Sequence, residues 1–179
     1  MQDWNIVVTI HQGHFQQAIN FLESFGPTGK TDYFNVLVMK VNDIGQFLED
    51  VSNEIQMAAA LDDMISRIMP ASVTFDFQVP AEFEAQLKQT VEPWLMQLAG
   101  GSFHVRMHRR GFKGRLSSQD EERLLDHYLT DRLDEQDAKC NIDFDDPDYI
   151  IDIETVGQRS GVSLWSREQR KRYALLKLD

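Results

Sequence analysis

Between Phe103 and Arg109 the side chains alternate without a break. Phe103, Val105 and Met107 fall on one side of an extended chain, and His104, Arg106 and His108 fall on the other. That pattern belongs to a strand with one face on a core and one face cationic. A one-residue slip of its register would exchange the two faces. Gly100-Gly101 precedes the strand, and Gly111 and Gly114 bracket a tight basic loop after it.

The rest of the chain supplies partners for such a strand. Asn5–Ile10 and Phe34–Val41 are short β-branched runs that read as buried strands. Val73–Val79 alternates and reads as another. Phe15, Ile19, Leu22 and Phe25 recur at helical spacing up to the breaker pair Gly26-Pro27. From Ile44 a long helical stripe runs through Leu48, Val51, Ile55, Ala58, Leu61, Ile65 and Ile68 to Pro70. Its length predicts two helices. Pro80 suits the first turn of a helix carrying Phe83, Leu87, Val91, Leu95 and Leu98 to Gly100. Ser118 with Glu121 fits a capping box for a helix with Leu125, Tyr128, Leu129 and Leu133 on its buried side. Tyr149–Val156 reads as a buried strand, Arg159-Ser160-Gly161 as a turn, and Val162–Trp165 as the next strand. Ser166 with Gln169 caps a short helical turn. Tyr173–Leu178 fits a strand or a helix equally. Strands alternate with helices and nothing repeats, so the expected class is α/β, with a boundary near Pro80.

Charge is distributed in blocks. The 179 residues carry a formal charge of -11, yet residues 100–115 carry +5 and residues 155–179 carry +4. Residues 1–99 and 116–154 are acidic, at -9 and -11. Concentrated positive charge on an acidic chain points to one polyanion held at one face. Cys140 is the single cysteine, which excludes an internal disulfide and a Cys-rich zinc site. The start MQDWN lacks a basic region followed by an apolar run, and no apolar stretch approaches the ~20 residues of a membrane span. The expectation is a cytoplasmic protein with no membrane partner.

Three stretches, in order, carry a resemblance. They are Arg67-Ile68-Met69-Pro70, Phe103 to Arg110 (FHVRMHRR), and Ile142 to Glu154 (IDFDDPDYIIDIE). They resemble the closing Arg-Ile-Ile-Pro, the arginine-ended strand and the Asn-Pro-Asp turn of THUMP-domain proteins. The likeness is to the stand-alone type that acts as an adaptor in tRNA cytidine acetylation. The resemblance implies an N-terminal ferredoxin-like domain, placed at residues 1–79, followed by an α/β THUMP domain, placed at 80–179. It implies binding of the tRNA acceptor end, presentation of the tRNA to a separate modifying enzyme such as a cytidine acetyltransferase, and no chemistry of its own. Two departures stand out. Asp146 replaces the Asn before Pro147, and the first domain shows three strands where a ferredoxin-like domain has four.

The expected RNA contacts are Arg106, His108, Arg109, Arg110, Lys113 and Arg115. Arg159, Arg167, Arg170 and Arg172 join them if the fold brings the second basic island alongside. The Gly111–Arg115 loop at a helix start has the makings of a phosphate site, with free N–H groups and cationic side chains. It is no Walker motif. Phe112 and Trp165 are candidates for stacking on bases, with core packing the simpler role for Trp165.

No catalytic residue, metal ligand or cofactor is expected. Asp143, Asp145, Asp146 and Asp148 miss the Ca²⁺-loop pattern, with Pro147 among them and no Gly. His11 with His14, and His104 with His108, have no ligand partner at a recognised spacing. Cys140 lacks an activating neighbour in sequence. Two alternatives stay open: a metal-dependent enzyme using the Asp143–Asp148 cluster, and an interaction module working through its acidic surface.

Overall fold

The computed structural model of the protein describes residues 2–57 and 63–178. Contacts between residues divide the chain into two compact units. One holds residues 1–72 and 170–177, the other 73–169 and 178–179. The division thus falls seven residues before Pro80, and the C-terminal segment returns to the first unit.

The first unit is built on a four-stranded antiparallel sheet. Its elements run β1 (Ile6–Ile10), α1 (Phe15–Leu22), β2 (Thr28–Lys30), β3 (Val36–Met39), α2 (Ile44–Met57) and β4 (Ile65–Pro70). The sheet order is β2-β3-β1-β4, the βαββαβ arrangement of a ferredoxin-like domain. Four strands are therefore present where the sequence offers three. The longer correction is at β4. Ile65 and Ile68 are three apart and continue the stripe of α2, which suggests helix. Instead Ile68 pairs with Val8 and Pro70 with Ile6. Five of the six residues of β4 are buried, so the strand has no polar face and no alternation to betray it. Arg67–Pro70 therefore closes a sheet, not a helical part. Ala58 and Leu61 of the expected stripe lie outside the described residues. β2, Thr-Gly-Lys, is three residues with no apolar signal at all.

Asp43 starts α2 by accepting a hydrogen bond from the backbone N–H of Gln46 at 2.9 Å. Phe25, just after α1, meets Phe47 of α2 ring to ring at 5.8 Å. Residues 173–177 form neither strand nor helix. They lie beside β4, where the Ile68 N–H donates to the Leu175 carbonyl at 3.0 Å.

The second unit is a five-stranded mixed sheet covered by helices. It contains β5 (Val73–Asp76), α3 (Pro80–Val91), a 3₁₀ turn (Glu92–Trp94), α4 (Leu95–Leu98), β6 (Ser102–Arg110), α5 (Ser118–Asp134), β7 (Asn141–Ile142), β8 (Tyr149–Val156), β9 (Arg159–Ser166) and the start of α6 (Arg167–Arg172). The order is β5-β9-β8-β6-β7. β6 and β8 are parallel in register from Phe103↔Tyr149 to Arg110↔Val156. A parallel pair needs a crossover, and α5 is that crossover. Phe103, Val105 and Met107 of β6 and Ile151 and Ile153 of β8 pack into one core with Phe83, Leu87 and Val91 of α3 and Leu125, Leu129 and Leu133 of α5.

The helix expected from Pro80 to Gly100 breaks at Pro93, whose ring and missing N–H interrupt the ladder. The turn placed at Arg159–Gly161 is instead Gly157-Gln158, with Gly157 at φ +63°, and Arg159 already belongs to β9.

Candidate nucleic-acid interface

The basic loop leaves the carboxyl end of β6 and feeds α5. In open α/β sheets that end of the strands is where ligands gather. Three residues of the loop have left-handed backbone: Gly111 (φ +112°), Phe112 (φ +50°) and Gly114 (φ +76°). Phe112 tolerates this conformation because its ring is anchored against Phe77, 4.9 Å away between centroids. Its carbonyl accepts from the N–H groups of Arg115 and Leu116 at 2.9 and 3.0 Å. The Arg115 guanidinium lies over the Phe112 ring at 5.0 Å. Phe112 is half-buried and packs on the core, so the loop is shaped from within by the residue that the sequence offers as a base-stacking candidate. The α5 cap is Ser117, whose hydroxyl accepts from Asp120 N–H at 3.4 Å. The sequence points to Ser118, one position on.

Lys113 and Arg115 are exposed. The other candidates are held by the protein itself. Arg106 donates through Nε to the Leu178 carbonyl at 3.2 Å. Arg109 donates to the Gly111 carbonyl. The parallel register sets Arg106 beside Asp152 and His108 beside Glu154, so β8 answers the cationic face of β6 with acids. His108 Nδ1 lies 3.7 Å from both the Asp152 and the Glu154 carboxylates, and Arg110 is ion-paired to Glu154. Asp152 and Glu154 are each 2 % exposed. His108, Asp152 and Glu154 bring ligand-type atoms within 4.8 Å of one another. The Arg110 guanidinium already supplies positive charge at that point.

The second basic island is split by the β8–β9 hairpin. Arg110 pairs with Val156 and Val156 with Arg159, so Arg159 lies in the same row as Arg110, two strands along. There it reaches Asp76 at 3.0 Å and the Thr74 hydroxyl at 2.7 Å. Arg167 follows the far end of β9, where Ser166 pairs with Tyr149. Seven residues of strand separate that row from Val156, about 23 Å. Arg167 binds Asp146 at 3.0 Å and Asp148 at 2.9 Å. Arg170 and Arg172 belong to the first unit, and Arg172 pairs with Glu49 at 2.6 Å. Trp165 is buried.

The aspartate turn is engaged by local donors. Asp143 accepts from the N–H groups of Asp145 and Asp146 at 2.9 and 3.3 Å. Asp148 accepts from Ser102, which with Arg167 holds its carboxyl below the usual range. Burial pushes the Cys140 thiol up. Among the described residues no helix is long and apolar enough to cross a membrane.

No protein-family model matches the chain, and no curated protein matches it. Solved structures do. TrmN from Thermus thermophilus superposes with a TM-score of 0.60 at 14% identity over 90% of this chain and 45% of its own. A 4-thiouridine synthetase solved with RNA and bound ATP gives 0.54 at 12% identity over 92% of this chain and 42% of its own. A predicted N6-adenine-specific DNA methylase from Listeria monocytogenes gives 0.52 at 12% identity, over 90% and 40%. The chain therefore spans less than half the length of these three structures. They overturn one expectation. The residues suggest a protein that is not an enzyme, whereas the structures sharing its fold include a synthetase and a predicted methylase, which points toward enzymatic relatives. The chain has a mixed α/β, THUMP-like fold.

Proposed function

We propose that this chain binds tRNA and presents it to a catalytic unit that modifies it. The observation that carries the reading is the exposed pair Lys113 and Arg115 in the Phe112-anchored loop at the carboxyl end of β6, on a fold shared with a synthetase crystallised with RNA. Lys113, Arg115 and Arg109 contact phosphates at the start of α5, where the positive end of the helix dipole adds to the attraction. His108, Arg110 and Arg159 act behind them and set the local potential. The modifying unit is a tRNA-modifying enzyme, with a cytidine acetyltransferase as the candidate from the family likeness.

The test is a salt titration of tRNA binding. About three phosphate contacts give a log–log slope on the order of -2 to -3. Absence of tRNA binding at low salt, or an affinity indifferent to salt, rejects the reading.

A further inference from the structure

β7 pairs with β6 only at Ser102 and Phe103, so the outer edge of β6 is not paired by β7 beyond that point. α5 runs along this edge, and Glu122 accepts from the Met107 backbone N–H at 2.7 Å. Between edge and helix lies a cavity of about 240 Å³, walled by His104, Arg106, Glu122, Arg123, Asp126 and Phe144.

Three features of these walls point to one ligand chemistry. Asp126 is 7 % exposed, and its Oδ1 has no hydrogen-bond partner in the protein. A buried carboxylate oxygen without a donor is costly, and a ligand that brings N–H groups relieves that cost. Phe144 is 71 % exposed, its ring held edge-on to His104 at 4.8 Å. An exposed, positioned aromatic face takes another flat ring. Arg106 and Arg123 stand on a wall that also carries Glu122 and Asp126, and their guanidinium groups offer donors to an anionic group. A flat ring, adjacent N–H donors and an anionic tail together describe a nucleotide. Among the common bases, guanine alone presents two adjacent donors, N1–H and N2–H, that match the two oxygens of a carboxylate.

We propose that this cavity binds one unpaired guanine nucleotide, the base stacked on Phe144 and its N1–H and N2–H donating to Asp126, with Arg106 and Arg123 at the phosphate. The inference rests on the RNA-binding reading only for the source of the guanine, because a free guanine nucleotide has the same chemistry. Burial and the neighbouring Glu122 raise the Asp126 carboxyl to about 6, so at pH 8 it is ionised and acceptor-only.

The experiment titrates the full chain at pH 8 with guanosine, inosine, adenosine and cytidine 5′-monophosphates, followed by NMR shifts and calorimetry. The guanine nucleotide binds tightest. Inosine, lacking the N2 amine, is weaker by about tenfold, and adenosine and cytidine are weaker still. Asp126→Asn places an amide donor against the base, removes the guanine preference and favours adenine and cytosine. Phe144→Ala changes an exposed side chain, so folding is untouched, and weakens the guanine nucleotide about tenfold. Equal affinity for the guanine and adenine nucleotides overturns the proposal, as does guanine binding unchanged in both variants. An RNA hairpin with a loop guanine, compared with the same hairpin carrying inosine, identifies the source. Salt-sensitive tRNA binding without nucleotide discrimination rejects the cavity and leaves the RNA reading standing. Guanine-selective nucleotide binding without tRNA binding rejects the RNA reading and leaves a free-nucleotide site.

Discussion

Ser102 and Asp148 hold each other in a reciprocal clasp. The Asp148 carboxylate accepts from the Ser102 N–H at 2.8 Å and its hydroxyl at 3.0 Å, while the Asp148 N–H donates to Ser102 Oγ at 3.0 Å. The two residues stand at the entries of the parallel strands β6 and β8, whose register begins one residue later. The clasp therefore fixes where that register starts, and with it which face the arginines take. Gly101 is part of the fit, since a Cβ there would stand 3.2 Å from the Asp148 carboxylate.

Asp148→Ala should lower the melting temperature at pH 7. The Ser102 bonds and Arg167 depress the folded pKa of Asp148, so its contribution is present above the unfolded value of about 3.9 and fades as pH falls through the folded value. Thermal melts of wild type and variant should converge in acid below about pH 4. A gap that stays constant from pH 7 into acid contradicts the assignment.

Glu121 should behave in the opposite sense. It is 6 % exposed, its Oε2 lacks a hydrogen-bond partner, and burial with Glu84 and Asp120 nearby raises its carboxyl to about 7. A raised acid is tolerated neutral, so stability is intact below about pH 4 and declines as pH rises through about 7. Glu121→Gln should stabilise the protein by about 1–3 kcal/mol at pH 8 and change little at pH 4. Denaturant titrations at the two pH values measure both.

Lys113→Ala with Arg115→Ala should weaken tRNA binding across different tRNAs alike. It should shallow the salt slope by about one unit per lost contact. Arg110→Ala is a different experiment, because it uncovers the buried Glu154 carboxylate and should destabilise the fold. Calorimetric melts beside the binding isotherms separate the two effects.

Leu129→Ala removes a fully buried side chain from the centre of the α5 stripe. It should cost about 2–5 kcal/mol, read from the denaturant midpoint. A cost under 1 kcal/mol would mean that α5 is not the crossover packed on this sheet.

Patterned elements were legible from residue order alone. The alternation of β6, the apolar run of β8, the stripe of α5 and the Ser166–Gln169 cap each announce themselves within a few residues. That cap has its reciprocal bonds at 2.9 and 3.2 Å. β4 and β2 were not legible. β4 is almost wholly buried, so its spacing mimics a helix, and β2 has no apolar residue to count. Local periodicity reports which face is wet, and it fails where both faces are dry or where the strand is three residues long.

For the site, the sequence by itself determined that positive charge gathers around β6 and its loop. Only the tertiary structure decided which charges remain available. Pairing β6 with β8 in parallel register set Arg106, His108 and Arg110 against Asp152 and Glu154, 40 and more residues away in the chain. The β8–β9 hairpin carried Arg159 to that end of the sheet and Arg167 to the other. The Asp126 cavity exists because α5 runs along an edge of β6 that β7 leaves unpaired. Charge content is a property of composition, whereas neutralisation and burial depend on which distant residue the register places within about 4 Å.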